Sequence, residues 1–385
     1  MKRIVSVVLA AMLLVCCLSA CSSAPASTPN DSSATPFKIG GIGPLTGDAA
    51  IYGQSVMNGA KIAVEEINAK GGVQLQFQEE DDVSDGEKGV NAYNTLMDWG
   101  MQVLAGPVTT GSAIAVSTEA YNDRVFAITP SASSVDVIAG KDNVFQVCFT
   151  DPNQGVGAAD YISTNMAGSK VAVIYRNDDA YSQGIRDTFV AEAAAKGLEV
   201  VYEGPFTKDT STDFSVQLNG AQAAGADVIF LPIYYQPASV ILNQANVMGY
   251  APTFFGVDGM DGILTMKGFD TSLAEGVMLL TPFSADAADS RTQAFVKTYT
   301  ERYGETPNQF AADGYDVIYT IAAALEAAGC TPDMSAADIC EAMIKVMPTI
   351  SVDGLTGQGM TWSASGEVSK APMAVVIRDG VYVTP

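Results

Sequence analysis

Val103-Leu104-Ala105-Gly106-Pro107-Val108-Thr109-Thr110-Gly111-Ser112 carries a strand, its terminator and the start of a helix in ten residues. Three apolar residues read as a buried strand, Gly-Pro ends it, and hydroxyls open the next helical run as N-caps do. The construction recurs at Phe126–Thr129, where Pro130 and Ser131-Ala132-Ser133-Ser134 follow the strand. A helix that starts this way leaves backbone N–H groups unpaired and facing outward, a seat for a carboxylate. Two such loops at adjacent strand ends converge on one crevice when the sheet is open and parallel.

Outward from this pair, short β-rich runs alternate with longer amphipathic ones. Strands are expected at Lys38–Gly41, Leu75–Glu80, Lys170–Tyr175, Glu199–Phe206, Val228–Pro232 and Thr253–Gly256. Helices are expected at Gln54–Lys70, Glu87–Trp99, Ser182–Lys196, Phe214–Ala224 and Ala238–Met248. Gly71-Gly72 and Gly197 suit helix C-termini. The alternation predicts doubly wound α/β architecture, and eight strands before residue 260 are too many for one small sheet, so two similar lobes follow. The tail differs: Met360–Trp362, Ser365-Gly366, Ala374–Arg378, Asp379-Gly380 and Val381–Val383 read as antiparallel ribbon with Asp-Gly as a hairpin turn.

Composition narrows the chemistry. The 385 residues carry 43 acidic and 20 basic side chains, a formal charge of −23, which disfavours nucleic acid and anionic surfaces as partners. The absence of histidine removes Ser-His-Asp and Cys-His nucleophile systems and His metal sites. Gly40-Gly41-Ile42-Gly43-Pro44-Leu45-Thr46-Gly47 invites a dinucleotide site, but the third glycine falls one residue late and Pro44 removes an N–H. Glu79-Glu80-Asp81-Asp82 with Asp85-Gly86 resembles a calcium loop, yet Val83 stands where oxygen is required; a solvated strand end fits better. No metal or cofactor is expected.

The N-terminus sets the compartment. Lys2 and Arg3 precede seventeen uncharged residues, Ile4 to Ala20, and Leu18-Ser19-Ala20-Cys21 resembles the lipobox of bacterial lipoproteins. That resemblance implies a signal peptide over 1–20 and lipid on Cys21. Residues 21–36, rich in Ser, Ala, Thr and Pro, read as a flexible tether spanning on the order of 20 Å. Cys148 reads as a buried thiol. Cys330 and Cys340, the latter in a helix capped by Ser335, can pair in an oxidising compartment or stay as free thiols.

Further motifs name a family. Leu45-Thr46-Gly47, Tyr52-Gly53, Asn58-Gly59-Ala60 and Glu66-Ile67-Asn68-Ala69-Lys70-Gly71-Gly72 resemble the opening of the branched-chain amino-acid-binding proteins of ABC importers. The resemblance continues through Gly106–Gly111, Asp151-Pro152-Asn153-Gln154-Gly155, Asn177–Gly184 and Gly256-Val257-Asp258-Gly259, covering Phe37 to Pro385. It implies the type I periplasmic-binding fold, two doubly wound α/β lobes joined by three crossover segments. The N-terminal lobe would hold 37–150 and 283–354, the C-terminal lobe 151–282 and 355–385.

By resemblance, the carboxylate-binding hydroxyl falls on Thr110, and Ser131 (carbonyl) and Ser133 (hydroxyl and N–H) contact both ends of the ligand. Tyr181 and Tyr234 are the far-lobe tyrosines, and Asp258 receives the ammonium. Tyr52 and Phe283 pack against the ligand side chain, with Asp151 a second acid at the crossover. A buried zwitterion does need donors at one end and an acid at the other. Asp258 stands where relatives often carry glutamate, and Ser84 and Thr109 where some carry a disulfide. The implied function is an extracytoplasmic, lipid-anchored, non-catalytic protein that captures an amino acid and delivers it to ABC permease subunits. The alternatives are a sensing receptor module of the same fold for amino acids, amides or aromatic acids, and an extracytoplasmic enzyme using a cleft Ser, Asp or Tyr.

Overall fold

Apolar strands alternating with longer helices build two parallel sheets, one after the other. The computed structural model describes residues 35–385. The signal segment 1–20, Cys21 and the tether up to residue 34 lie outside the described residues. From Pro36 to Pro385 the chain is one compact unit.

The first sheet contains β1 (Phe37–Gly43), β2 (Leu75–Asp81), β3 (Val103–Ala105), β4 (Phe126–Thr129) and β5 (Val144–Gln146). All pair in parallel, in the order β2-β1-β3-β4-β5. Helices α1 (Ala50–Lys70), α2 (Gly86–Trp99) and α3 (Thr110–Asp123) make its crossovers. The second sheet repeats this order as β7-β6-β8-β9-β10, with β6 (Lys170–Arg176), β7 (Glu199–Phe206), β8 (Val228–Leu231), β9 (Thr253–Gly256) and β10 (Met278–Thr281). Its helices are α4 (Asp151–Asn165), α5 (Ala180–Lys196), α6 (Ser215–Ala223) and α7 (Tyr235–Met248). The two lobes are thus copies of one topology, each with a switch point beside its first strand.

Local chemistry sets the element ends. Asp85 and Asp179 accept from the Lys88 and Ser182 amides at the starts of α2 and α5, and Gly100 and Gly197 end those helices in left-handed conformation. The tail hairpin pairs β11 (Met373–Arg378) with β12 (Val381–Val383). Its turn residues Asp379 and Gly380 have φ of 52° and 74°, as a two-residue hairpin of this type requires. All eight strands read from the sequence are present; β5 and β10, only three and four residues long, show no alternation to betray them.

After β10 the chain returns to the first lobe as α8 (Ser290–Tyr303), α9 (Gln309–Ala327) and α10 (Ala336–Val346). Helix α9 crosses α1 backbone to backbone at two glycines. A Cβ on Gly59 would lie 1.9 Å from the Ala311 carbonyl oxygen, and one on Gly314 would lie 2.2 Å from that of Val56.

The last crossover falls later than residue 355. Met360, Trp362 and Val368 are buried in the first lobe's core, the Trp362 indole donates to the Gln146 carbonyl at 2.8 Å, and Gln146 N–H donates to Gly366 at 2.9 Å. Residues 355–370 therefore pack on the N-terminal lobe, and the chain crosses between Lys370 and β11. Within the segment itself only isolated bridges form, Val352 with Met360 and Trp362 with Val368, which leave no strand-length pattern. Cys148, Cys330 and Cys340 are all free thiols, so the Cys330–Cys340 pairing is not made.

Candidate functional site

The two hydroxyl loops meet at the carboxyl ends of β3 and β4, and side chains tie them together. Thr129 Oγ1 donates to the Pro107 carbonyl at 2.6 Å and Ser131 Oγ to that of Val108 at 2.7 Å. Thr109 is the N-cap residue of α3 but makes no capping bond; its hydroxyl accepts from Ser84 Oγ at 3.0 Å. A hydroxyl–hydroxyl bond thus stands where some relatives would carry a disulfide. Thr110 Oγ1 is buried without a partner, and the first turn of α3 holds no acidic residue of its own.

The second lobe answers with an acid among aromatic rings. Asp258 lies in the turn after β9, 3% exposed, and Tyr181 Oη donates to its Oδ1 at 2.6 Å. The Gly259 amide donates back to the same phenol at 3.0 Å. Tyr52, at the start of α1, donates through its hydroxyl to the Gly259 carbonyl and accepts from the Tyr235 amide at 3.1 Å. Its ring lies 5.3 Å edge-on from Tyr234 and 4.4 Å from Phe310, while Tyr181 and Tyr234 are 4.9 Å apart.

Electrostatics follow from burial. Desolvation lifts the Asp258 carboxyl to about 6, against the Tyr181 and Gln154 hydrogen bonds that favour its charged form. Burial also pushes Asp151 well above the usual carboxylate range; it is 1% exposed, and neither carboxylate oxygen has a partner. Burial first, and then the neighbouring Asp258, raise the Tyr181 phenol. The Asp258 carboxylate is left with a strong demand for a cationic hydrogen-bond donor.

Tyr52, Ser131, Tyr181, Tyr234 and Asp258 line one cavity, joined by Thr109 and Phe310. It has a volume of about 10 Å³, room for one water, and Tyr234 also lines an outer chamber of about 430 Å³ that includes Arg176 and Lys208. Thr110 is buried but does not line the cavity. Ser133 is one side chain away: Gln154 Nε2 reaches Ser133 Oγ at 3.5 Å, and Gln154 Oε1 accepts from the Asp258 amide at 3.1 Å. Asp151 sits at the start of α4 against Gly184 rather than in the cavity.

Phe283 is not brought to this cavity. It packs edge-on to Phe295 at 6.4 Å and lines a separate cavity of about 410 Å³ with Asp261 and Leu264. Phe310 occupies the position against Tyr52 instead. Sequence reasoning missed Phe310, Gln309 and Gln154. The first two open α9, whose residues from Gln309 to Ile318 are all buried, so burial there follows no helical period; Gln154 lies inside the Asp151–Gly155 motif. Among the described residues no cluster of His, Cys, Asp and Glu is arranged to hold a metal ion, and no helix is long and apolar enough to cross a membrane.

Residues 36–380 match the sequence profile of a family described as periplasmic binding protein. The Leu/Ile/Val-binding protein homolog 3 of Brucella melitensis is 32% identical over 340 residues, covering 86% of this chain and 88% of its own. Among solved structures, the leucine-binding protein LivK of Thermotoga maritima superposes with a TM-score of 0.81 at 26% identity, covering 91% of this chain and 97% of that one. LivJ of Streptococcus pneumoniae, a branched-chain amino-acid transporter substrate-binding protein solved with isoleucine, gives 0.81 at 27%, covering 91% of this chain and all of its own, 100%. Sequence and architecture agree over both lobes and every crossing between them: the chain belongs to the periplasmic binding protein family.

Proposed function

We propose that this protein captures a free amino acid between its lobes outside the cell membrane and hands it to the permease subunits of an ABC importer. One observation carries the reading. Asp258 is a buried carboxylate with a tyrosine donor but no cation, and it shares its cavity with the hydroxyl loop that opens α3. An α-ammonium supplies the missing charge, and the free first-turn amides of α3 with Thr110 and Ser133 receive the α-carboxylate. Tyr52, Tyr181, Tyr234 and Phe310 wall the side chain, and Ser131 offers its carbonyl. The unpartnered Asp151 stands in reserve as a second acid near Ser133. Isoleucine in LivJ and the names of the Leu/Ile/Val-binding relatives favour a neutral aliphatic ligand.

Space for one water cannot admit an amino acid, so the lobes must part before binding and close afterwards, the usual hinge behaviour of ligand-enclosing pairs of lobes. A net affinity near −8 kcal/mol, about micromolar, is within reach of one zwitterion and an apolar side chain. The reading requires no bond to be made or broken. Lipid on Cys21 would keep the protein at the extracytoplasmic face, and metabolic labelling with a fatty acid, lost in Cys21→Ala, tests that part.

The central test is a thermal-shift screen of protein refolded free of carried-over ligand, against the twenty amino acids, their amides, sugars and aromatic acids. A ligand at a hundred times its dissociation constant adds about 2.7 kcal/mol. Stabilisation by aliphatic amino acids, with the ligand recovered unchanged, is the expected result. Silence from every amino acid, with another class responding, removes Asp258 from its role as ammonium acceptor.

A further inference from the structure

Asp82 is fully buried, so the acidic run that ends β2 is not simply a solvated strand end. The chain after it turns through two left-handed residues, Val83 with φ of 50° and Ser84 with φ of 58°. Among the described residues two other non-glycine residues have positive φ: Arg124 at the C-terminus of α3 and Asp379 in the tail hairpin, both ordinary places for it. Val83 is β-branched, for which this conformation is costly.

Carboxylates hold the pair in place. Asp81 Oδ1 accepts from the Val83 and Leu45 amides at 2.9 and 2.8 Å, and Asp82 Oδ1 accepts from the Ser84 amide at 2.9 Å. Strain fixed in this way beside a cleft points to a use for the conformation. Ser84 lines the outer chamber, Thr109 lines the Asp258 cavity, and the bond between their hydroxyls joins the two walls. Tyr234, from the other lobe, lines both spaces, whereas the cavity around Phe283 shares no lining residue with the Asp258 cavity. Val83 lines the chamber next to Ser84, and its Cγ1 lies over Gly47, where an added Cβ would come within 3.0 Å of it. Ala49, Ile233 and Pro237 add apolar surface to the same chamber.

We infer that a ligand held by its charged ends at Asp258 and the hydroxyl loops extends its side chain toward this chamber, and that Val83 is a specificity-determining residue whose methyl groups limit how long that side chain can be. The direction in which a side chain leaves the backbone is tied to the backbone conformation, so an ordinary φ at residue 83 would send these methyls elsewhere. The limit rests on the amino-acid reading of the site.

Three substitutions test it by calorimetry and melting of the ligand-free protein. Val83→Ala shortens the side chain and keeps the left-handed strain, Val83→Gly removes both, and Val83→Leu lengthens the side chain. The ratio of dissociation constants between the smallest and the largest amino acid that bind should move about tenfold in favour of the larger in Val83→Ala and Val83→Gly, and toward the smaller in Val83→Leu. Val83→Gly should also melt above Val83→Ala, because only glycine takes this φ without penalty. A uniform change of affinity with the ratio intact in all three variants overturns the specificity role. A Val83→Gly variant that melts no higher than Val83→Ala overturns the strain that presents the side chain. If the wild type binds no amino acid, the functional reading fails, and the same ratio taken over a small and a large member of the class that does bind decides the role of Val83.

Discussion

Replacing Asp258 with asparagine should stabilise the ligand-free protein and cripple amino-acid binding, two effects of opposite sign from one buried charge. Burial raises this carboxyl to about 6, so between its ordinary value and 6 the folded chain binds a proton that the unfolded chain has released. Stability therefore falls as pH rises through that window, and the full deficit, on the order of 3 kcal/mol, is present above pH 6. Asparagine keeps the shape, and its oxygen can still accept from Tyr181, but it carries no charge to desolvate. At pH 7.5 the variant should melt a few degrees higher than the wild type, and near pH 4 the gain should vanish because the wild-type acid is then neutral. Losing the charged partner of a buried ammonium costs about 2–5 kcal/mol, so affinity should drop roughly 30- to several-thousand-fold. Differential scanning fluorimetry at the two pH values and titration calorimetry at the higher one measure both effects. Binding within threefold of wild type, or a lower melting point at pH 7.5, would mean that Asp258 is neither a destabilising buried charge nor the ammonium's partner.

The same ionisation governs the wild type: below pH 6 its dissociation constant should climb about tenfold per pH unit, and a flat calorimetric profile from pH 7 to 5 would place the ammonium elsewhere. Tyr52→Phe keeps the ring against Phe310 but loses the bonds to Gly259 and Tyr235. Affinity should weaken about tenfold with ligand preference unchanged, and a reordered preference would mean that the hydroxyl touches ligand. Lys370, nearly fully buried, pairs with Asp313 at 3.3 Å just before the last crossover. Lys370→Met should cost about 3–5 kcal/mol in urea unfolding at pH 8, and distinctly less at pH 5.5, where Asp313, already pushed up to about 7 by burial, is neutral. An equal loss at both pH values would show that the lysine acts through packing.

Much of this protein follows from local rules. Strands, helices and their caps depend on residues a few positions apart, which is why Val103–Ala105 and Phe126–Thr129 with their hydroxyl loops could be placed in advance, and why Asp379-Gly380 announced a hairpin. An open parallel sheet then delivers those loops to one crevice whatever the rest of the chain does. Asp258, Tyr181 and Tyr234 owe their placement to motif resemblance, since nothing in their own spacing says that they meet. Longer-range choices stayed hidden. The return crossing near Lys370 depends on Trp362 and Val368 packing into the first lobe's core and on the bonds to Gln146, and Phe310 rather than Phe283 faces Tyr52 because α9 crosses α1 at Gly59 and Gly314.

The repeated α/β topology, the acidic histidine-free chemistry and the strand-end loops are properties of composition or short spacing, and so can be read along the chain. Which groups face each other across the seam is set by the docking of the two lobes. The bonds from Tyr52 to Gly259 and from Gln309 to Asp258 and Asp261 join residues some 50 to 200 positions apart, and they exist because two separately folded lobes dock in one orientation, a relation no periodicity along the chain encodes.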